Sequence, residues 1–424
     1  MTNVLVFPSG TGIAQEIFFA LRDCKNIHLL GASSLAGDLG SYLFTTHYSL
    51  PYVTEPSFLS ELSDLCRMAQ IDVIYPAHDD AVLTLALQRE LIPAQVIAPS
   101  SQSCLICRSK TKTYQLLERR LPVPRLYSLP PKNLDAYPLF VKPDKGQGSK
   151  DAYKVATPEE LISSLDRIVD PVITEYLPGK EFTVDCFSDR SDGLLYSQGR
   201  ERVRVRSGIA MNTMAAHSPA FAAMATIIHE ELQMNGPWFF QVRAREGGEM
   251  VLLEVGPRVA GAMAMSRAMG VNLPLLGLHQ ARGERVTIQP VLVHMAMERS
   301  YRNHYRHQLD YGAVYMDLDD TVVVHGKVNV RIISFVYQCL NNCIPVILIT
   351  RHAGVLEDTL ERYRLRDLFA DVIHIAPEQP KSQHINLNLN PIFIDDSFLE
   401  RSQIATALGI PVFDPSMIEV LMEP

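Results

Sequence analysis

Polar side chains near the C-terminus follow short apolar strands at four points. The sequence VYMDLDDT at residues 314–321 sets two carboxylates two residues apart, directly after a predicted buried strand. Alternate residues on a strand face the same way, and ligand sites of α/β proteins form at the carboxyl edge of the sheet. The groups predicted to meet at this edge are Asp317, Asp319, Thr350, Lys381, Asp395 and Asp396.

This collection of side chains suits phosphoryl transfer through a phosphorylated aspartate. One carboxylate attacks phosphorus, while a second protonates the leaving oxygen and later activates water. Lysine and threonine hold and neutralise the phosphoryl oxygens. A Mg²⁺ ion offsets the crowding of carboxylates and phosphate. Each group alone would be ordinary, because acids at strand ends often cap helices, but the ordered set favours a phosphatase site.

A second ordered set lies between residues 109 and 260. Its members are Lys110, Lys142, the glycine loop KGQGSK at 145–150, the strand–bend–strand segment at 172–185, Gln241, Glu254 and Arg258. Such lysines neutralise the phosphates of a nucleoside triphosphate, and a glycine loop folds over them. A glutamine and a glutamate hold Mg²⁺, and an arginine steadies a developing anion. The set is not a Walker P-loop, because no GxxxxGK[ST] sequence occurs.

Four arginines alternate with other residues in the sequence RERVRVR at residues 200–206. On a strand these arginines would share one face. Two interpretations are open, a solvated edge strand and a clamp for a substrate carboxylate or phosphate. The segment comes just before the predicted metal-binding strands, which favours the clamp. The predicted substrate ligands are Arg202, Arg204 and Arg206.

Two loops near the N-terminus also carry polar groups at predicted strand ends. The loop SGTG at residues 9–12 opens a helix, where amides can meet an anion, but it lacks the third glycine and the acid of a dinucleotide site. His78, Asp79 and Asp80 suggest the histidine–aspartate pair of metal-dependent phosphohydrolases. They follow a strand, however, and no second histidine lies nearby. We interpret them as a polar loop at a strand end.

The elements that carry these groups predict an α/β protein. Strands and helices alternate over the first hundred residues, which indicates a parallel sheet with right-handed crossovers. A fresh strand begins at Ala313 after a polar stretch, and the alternation then resumes. The predicted organisation is a parallel-sheet α/β domain at 1–108, an α+β domain at 109–296, a connector at 297–310 and a Rossmann-like domain at 311–424.

The C-terminal set resembles the haloacid dehalogenase-like (HAD) phosphohydrolase superfamily, whose four motifs are present in order. The resemblance implies that Asp317 is the nucleophile and Asp319 the general acid and base. It implies that Thr350 and Lys381 bind the phosphoryl group. The Mg²⁺ ligands that it implies are Asp317, Asp319, Asp395 and Asp396. Neither interval between the first three motifs has room for a cap domain, so a capless member is expected.

The set at 109–260 looks like the ATP-grasp superfamily, close to its carbamoyl-phosphate-synthase-like and carboxylate–amine ligase members, with residues 1–108 as the usual preceding domain. The implied nucleotide contacts are Lys110, Lys142, the lid residues Gly146, Gly148, Ser149 and Lys150, the adenine-framing Glu175 and Leu177, and the ribose ligand Glu181. Gln241 and Glu254 would bind Mg²⁺, and Arg258 would stabilise an acyl-phosphate and the transition state.

The sequence departs from the ATP-grasp pattern at two points. The family's Glu-x-Asn-x-Arg motif is here EVGPR at residues 254–258, so Gly256 stands where a metal-binding asparagine is usual. The glycine loop also ends in Asp151, where a glycine is common. Because glycine supplies no metal ligand, either a second Mg²⁺ is held by other groups or the ligase activity is weakened, and the sequence does not choose between these.

Composition and charge restrict the class of protein. The chain has 424 residues, 20% of them charged and 47% hydrophobic, which is typical of globular proteins. Its net charge of −8 makes nucleic acid and anionic membrane poor partners. No apolar run is long enough to cross a membrane. The N-terminal segment has no basic region and only a short apolar run, so a signal peptide is not expected there. With seven cysteines and no disulfide framework, we expect a cytoplasmic protein with reduced thiols.

Together these features predict a bifunctional biosynthetic enzyme. Its ATP-grasp half would join a carboxylate to an amine or similar nucleophile through an acyl-phosphate, using ATP and Mg²⁺. Its HAD half would remove phosphate from a small phosphorylated metabolite. An alternative is a phosphatase whose ATP-grasp part binds nucleotide as a sensor without ligation. The identity of the substrates and the formation of a homo-oligomer are left open.

Overall fold

A computed structural model describes residues 1–129, 137–291 and 293–423, in two compact units, Met1–Tyr301 and Arg302–Pro424. Both predicted N-terminal domains lie within the first unit, and residues 311–424 lie within the second. The predicted connector starts later than expected, because residues 296–298 form an edge strand of a sheet in the first unit.

The first sheet is parallel throughout, with strand order β3-β2-β1-β4-β5. Its strands are β1 (Thr2–Phe7), β2 (Ile27–Ser33), β3 (Thr46–Ser49), β4 (Val73–Pro76) and β5 (Gln95–Val96). Its helices are α1 (Gly12–Leu21), α2 (Leu39–Leu43), α3 (Phe58–Met68), α4 (Asp79–Leu87) and α5 (Ser101–Arg108). Val4 and Val6 pack into one apolar cluster, Leu5 and Phe7 into another. Alternation along β1 therefore buries both faces of the sheet.

A four-stranded antiparallel sheet follows, with strand order β6-β9-β7-β8. Its strands are β6 (Leu126–Tyr127), β7 (Leu139–Pro143), β8 (Tyr153–Val155) and β9 (Pro171–Glu175). Helix α6 (Lys110–Leu117) precedes this sheet, and α7 (Pro158–Leu165) lies between β8 and β9. Ser109 caps α6 by accepting a hydrogen bond from the Lys112 amide, so the helix begins at Lys110.

The largest sheet of the first unit has six antiparallel strands in the order β14-β13-β10-β11-β12-β15. They are β10 (Glu181–Asp189), β11 (Gly193–Arg206), β12 (Ile209–Ala216), β13 (Gly236–Ala244), β14 (Met250–Gly256) and β15 (Ala296–Glu298). The accompanying helices are α8 (Pro219–Leu232), α9 (Ala264–Ala268) and α10 (Leu273–Ala281). The pairing of β13 with β14 agrees with the predicted antiparallel strands.

The second unit contains a five-stranded parallel sheet with strand order β20-β19-β16-β21-β22. Its strands are β16 (Ala313–Met316), β19 (Val346–Thr350), β20 (Asp371–His374), β21 (Pro391–Ile394) and β22 (Val412–Phe413), and a hairpin of β17 (Val323–Val324) and β18 (Lys327–Val328) follows β16. Its helices are α11 (Val330–Asn341), α12 (Leu356–Arg362) and α13 (Phe398–Leu408). The first strand of this unit in chain order is central in the sheet, and the chain order reverses beside it, which is where open parallel sheets bind ligands.

The expectations on membrane-spanning segments and on the cysteines concern the helices and thiols of both units. In the described parts of the chain, no helix combines the length and apolar character that a membrane span requires. All seven cysteines are free thiols; most are buried, while Cys24 is half-buried and Cys343 is exposed.

Candidate functional site

The first unit contains a cavity of about 520 Å³, and most of the predicted ATP-grasp residues line it. This volume lies in the range of small-molecule sites. Among the described residues that line it, eight are lysine or arginine and four are aspartate or glutamate. The chain as a whole carries a net charge of −8, so cationic side chains are concentrated at this cavity. A multiply charged anion is the ligand that such a lining favours.

Two buried lysines line the cavity where β7 ends and α6 begins. The Nζ of Lys142 donates to the Tyr114 hydroxyl at 2.8 Å, and that hydroxyl donates to the Leu253 carbonyl at 2.6 Å. Burial and the nearby charge of Lys110 lower the pKa of Lys142 to about 7. Burial also lowers the pKa of Lys110, although Glu254 opposes this shift. Phosphate oxygens would favour the charged form of both amines.

The glycine loop lies against two other parts of the cavity wall. Gly146, Gly148, Ser149 and Lys150 all line the cavity, as predicted for a lid over phosphates. The Gln147 amide lies 2.5 Å from the Nε2 of His78, in the loop after β4. Gly208 packs so closely that a Cβ atom there would lie 2.2 Å from the Gly148 carbonyl carbon. The loop is therefore in contact with both the β4–α4 loop and the β11–β12 turn.

The predicted adenine and ribose contacts also reach the cavity. Glu175, Tyr176 and Leu177 line one wall, and Glu181 lies close by on β10. Burial would raise the pKa of Glu175, but hydrogen bonds from Arg245 and the Arg125 amide hold it below its usual range. The Glu181 carboxylate is already paired with Arg202 at 2.8 Å and with Arg243 at 3.5 Å.

Gln241 and Glu254 are cross-strand partners on β13 and β14, and both line the cavity. An amide oxygen and a carboxylate on neighbouring strands are hard oxygen donors. Mg²⁺ is commonly held by one or two protein carboxylates together with substrate phosphates. This donor set therefore fits a magnesium ion beside a nucleotide.

Arg258 lines the same cavity, but its guanidinium is already engaged. Its Nε and Nη2 donate to the two carboxylate oxygens of Asp79 at 2.7 and 2.8 Å. Burial would lower the pKa of Arg258, but Asp79 more than compensates, and its pKa is raised. Asp79, in the first turn of α4, therefore supplies the partner of Arg258. The loop predicted at residues 78–80 is confined to His78, which caps the helix, and a role for Asp79 was not predicted.

The unusual Gly256 has a steric explanation. A Cβ atom at this position would lie 2.2 Å from the Phe239 ring on the neighbouring strand. The ring occupies the space that a side chain at residue 256 would need, and the Arg258 guanidinium lies 5.1 Å from the ring centre. Phe239 and Gly256 thus form a matched pair on β13 and β14.

Only one of the three predicted arginine ligands lines the cavity. Arg202 does so, whereas Arg204 pairs with Glu298 at an exposed position and Arg206 is exposed. The pairing of β11 with β12 shifts in register around Arg204, and this interrupts the alternation on which the prediction of a shared face depended. Arg200, which belongs to the four arginines of the clamp interpretation but was not among the predicted ligands, also lines the cavity. Thr183 and Arg299 line it as well, and neither was predicted as a site residue. Alternate residues on a strand face the same way, and this pattern could have identified both Thr183 and Arg200. Thr183 follows Glu181 by two residues, and Arg200 precedes Arg202 by two.

In the second unit, three carboxylates lie at the carboxyl edge of the sheet. One oxygen from each of Asp317, Asp395 and Asp396 lies within 4.8 Å of the others. The Nζ of buried Lys381 donates to Asp317 at 2.6 Å and to Asp395 at 2.7 Å. Burial raises the pKa of Asp317 to about 6, against the effect of Lys381, and burial also raises that of Asp395. Such a crowded group of hard oxygens fits a divalent cation.

The two remaining predicted residues take different positions around this cluster. Thr350 is fully buried at the end of β19, and its hydroxyl has no hydrogen-bond partner among the described residues. Asp319 is half-exposed, lies outside the three-carboxylate group, and contacts the Nδ1 of His352 at 2.9 Å. The Nε2 of His352 contacts the Thr359 hydroxyl at 2.8 Å. His352 was not among the predicted site residues, although it follows Thr350 by only two residues.

Comparison with known proteins supports the ATP-grasp assignment. Residues 167–303 match the model of a family described as ATP-grasp in the biosynthetic pathway with Ter operon. No curated protein matches the chain. The comparisons do not show the HAD-like domain expected at residues 311–424.

Several solved structures share a fold with about two thirds of the chain. The biotin carboxylase domain of Hydrogenobacter thermophilus 2-oxoglutarate carboxylase, a dimer with MgADP, ADP and bicarbonate, is 15% identical over 68% of this chain and 71% of its own, with a TM-score of 0.59. An L-amino acid ligase from Bacillus licheniformis is 18% identical over 66% and 74%, with a TM-score of 0.55. The N5-carboxyaminoimidazole synthetase of Staphylococcus aureus, complexed with ADP, is 14% identical over 68% and 80%, with a TM-score of 0.58. At these identities the likeness shows a common fold.

Proposed function

We propose that the first unit is an ATP-dependent ligase that activates a carboxylate as an acyl-phosphate for attack by an amine or similar nucleophile. The observation that carries this proposal is the cationic cavity, where Lys110, Lys142 and the glycine loop face the Gln241–Glu254 pair. The ATP-grasp family match supports it, as does the fold shared with an L-amino acid ligase and with ADP-bound carboxylase and synthetase structures.

In this reaction a substrate carboxylate oxygen attacks the γ-phosphorus of ATP, and ADP leaves. The nucleophile then attacks the acyl carbon, and inorganic phosphate leaves. Lys110 and Lys142 neutralise the phosphates, while the backbone of residues 175–177 holds the adenine. Bound Mg²⁺, held by Gln241 and Glu254, would neutralise charge between the phosphates.

We propose further that the second unit is a HAD-type phosphohydrolase. The observation that carries this part is the position of Lys381 between Asp317 and Asp395, with the unpartnered Thr350 hydroxyl at the same sheet edge. An Asp317 oxygen attacks phosphorus, and Asp319 protonates the departing alcohol. Asp319 then removes a proton from a water molecule as the water oxygen attacks phosphorus, and the bond from phosphorus to Asp317 breaks, which releases phosphate and restores the carboxylate. Bound Mg²⁺, held by Asp317, Asp395 and Asp396, would supply charge neutralisation.

Two variants of the full chain test these activities against each other. The protein is mixed with ATP, Mg²⁺ and a panel of acids and amines, and ADP, AMP and phosphate are measured. We expect Glu254→Gln to abolish acid-dependent ADP formation and to leave hydrolysis of phosphorylated metabolites intact. Asp317→Asn should have the opposite effect. AMP as the nucleotide product would contradict the acyl-phosphate route, and full phosphatase activity in Asp317→Asn would contradict the proposed nucleophile.

A second candidate function for the first unit is nucleotide sensing without ligation. Two observations favour it: Gly256 supplies no side chain to a metal, and the Arg258 guanidinium is paired with Asp79. ATP binding with no acid-dependent ADP formation across the panel would support the sensor and exclude the ligase.

A further inference from the structure

Two neighbouring polar atoms in the cavity wall are buried and have no hydrogen-bond partner within the described chain. They are the Oγ1 of Thr183 and the Nη1 of Arg200, on residues that are 1% and 2% exposed. The two residues are cross-strand partners on β10 and β11, and both line the cavity. Most buried polar groups in native proteins are paired, because an unpaired one costs about 1–3 kcal/mol. Two adjacent exceptions facing a cavity indicate a ligand that pairs with them.

The rest of the Arg200 guanidinium is fixed by the protein. Its Nε and Nη2 donate to Asp185 at 3.0 and 3.1 Å. The same carboxylate accepts a hydrogen bond from Ser266 at 3.0 Å. Asp185 therefore fixes the orientation of the guanidinium, while Nη1 has no hydrogen-bond partner within the described chain. Such a preorganised cationic donor is well suited to bind an anion.

The pair lies in line with the predicted magnesium ligands. Cross-strand partners run in the order Glu254, Gln241, Thr183 and Arg200 across β14, β13, β10 and β11. Neighbouring strands are about 4.8 Å apart. Thr183 is thus one strand beyond Gln241, and Arg200 is two strands beyond it. An anion held by this pair would lie beside the reacting phosphate.

Further cationic groups lie at the same end of the cavity. Arg299 lines it, contacts Glu16 at 3.3 Å, and lies 4.0 Å from where a Cβ atom of Gly12 would be. Burial raises the pKa of Glu16, and the charges of Arg299, Arg267 and Arg200 oppose this shift. Arg200 is therefore close enough to Glu16 on α1 for its charge to act on that carboxylate, and the ATP-grasp resemblance implied no ligand from this helix.

We infer that Thr183 and Arg200 form an oxyanion subsite that binds the carboxylate of the acid substrate beside the γ-phosphate. This inference rests on the proposed ligase function. Two donors on adjacent strands match the two oxygens of one carboxylate. The phosphates of the nucleotide, in contrast, have Lys110, Lys142 and the glycine loop as donors.

The test uses Thr183→Val, which replaces only the unpartnered hydroxyl by a methyl group of similar size. Thr213→Val is a matched control, because Thr213 is also fully buried on the same sheet with an unpartnered Oγ1, and it is not among the described cavity-lining residues. Both variants should raise the Tm of the full chain by a few degrees, since each removes an unpaired buried hydroxyl. Only Thr183→Val should lose affinity for the anion.

Anion affinity is measured by titration calorimetry with malonate, and separately with inorganic phosphate, in the presence of Mg²⁺ and a non-hydrolysable ATP analogue. We expect Thr183→Val to weaken malonate binding about tenfold, the effect of one hydrogen bond to a charged group. Unchanged malonate binding in this variant, or binding of phosphate but not malonate to the wild type, would overturn the inference. Weaker binding of the ATP analogue alone would assign the pair to the nucleotide and also overturn it.

The outcome is separable from that of the proposed function. Malonate binding that depends on Thr183, without ADP formation from any acid, would refute the ligase and leave the subsite in place. ADP formation that is the same in Thr183→Val and wild type at limiting acid concentration would refute the subsite and leave the ligase in place.

Discussion

Replacing the buried Lys142 by methionine should stabilise the first unit and at the same time abolish nucleotide binding. Lys142 is almost fully buried, and its pKa falls from 10.5 to about 7 because burial and Lys110 disfavour its charge. This fall corresponds to about 5 kcal/mol of unfavourable charging in the folded protein. Methionine keeps the length of the side chain and carries no charge, and the Tyr114 hydroxyl keeps its bond to the Leu253 carbonyl.

The sign of the pH dependence follows from the same shift. Below about pH 7 the lysine is charged in the folded and the unfolded protein, so the full penalty is present. Between about pH 7 and 10.5 the unfolded chain binds more protons than the folded one, and the free energy of unfolding of the wild type rises with pH. The stability advantage of Lys142→Met, up to about 5 kcal/mol, should therefore be largest below about pH 7 and shrink as the pH rises.

Differential scanning calorimetry of both proteins at about pH 6 and about pH 9 measures this difference. Nucleotide binding provides a second readout, because the phosphates favour the charged amine. Above about pH 7, titration of an ATP analogue in buffers of different ionisation enthalpy should show proton uptake by the wild type. A variant that is less stable than wild type at the lower pH, or a wild type that binds nucleotide without proton uptake, would refute the reasoning.

Two further predictions concern the residues around Arg258. Gly256→Ala should lower the free energy of unfolding by about 1–3 kcal/mol, because its Cβ would clash with the Phe239 ring. In the double variant, Phe239→Ala should relieve most of that loss. Additive losses in a denaturation double-mutant cycle would contradict the matched pair. Asp79→Asn should lower the free energy of unfolding by about 3 kcal/mol, because it leaves the mostly buried Arg258 guanidinium without its ionic partner. Asp80→Asn, which removes a half-exposed ionic partner of Arg108, should lower the free energy of unfolding by no more than about 1 kcal/mol. Equal losses in urea unfolding of the two variants would contradict the importance of the Asp79–Arg258 pair.

Local sequence patterns predicted most of the strands and helices, and they predicted several groups of side chains that the structure brings together. Alternating apolar residues such as those of β1 specify which faces of a strand are buried, and chain order determines which strand ends share an edge. That local information was enough to predict that Asp317, Lys381 and Asp395 would lie together, and that Gln241 and Glu254 would lie on adjacent antiparallel strands. The prediction for the arginines at 202–206 was less successful, because a shift in register cannot be read from a period of two.

Only the tertiary structure decided which charged groups were already paired. Asp79 and Arg258 are 179 residues apart, and their ion pair forms only because the end of β4 and the end of β14 reach the same cavity. Arg200 looked like a neighbour of three equivalent arginines, yet packing buries it against Asp185 and leaves one nitrogen beside Thr183. Short-range periodicity sets the direction of a side chain, whereas its partners and its desolvation depend on contacts between segments that are distant in the chain. The roles of Lys142, Arg200 and Arg258 depend on those contacts.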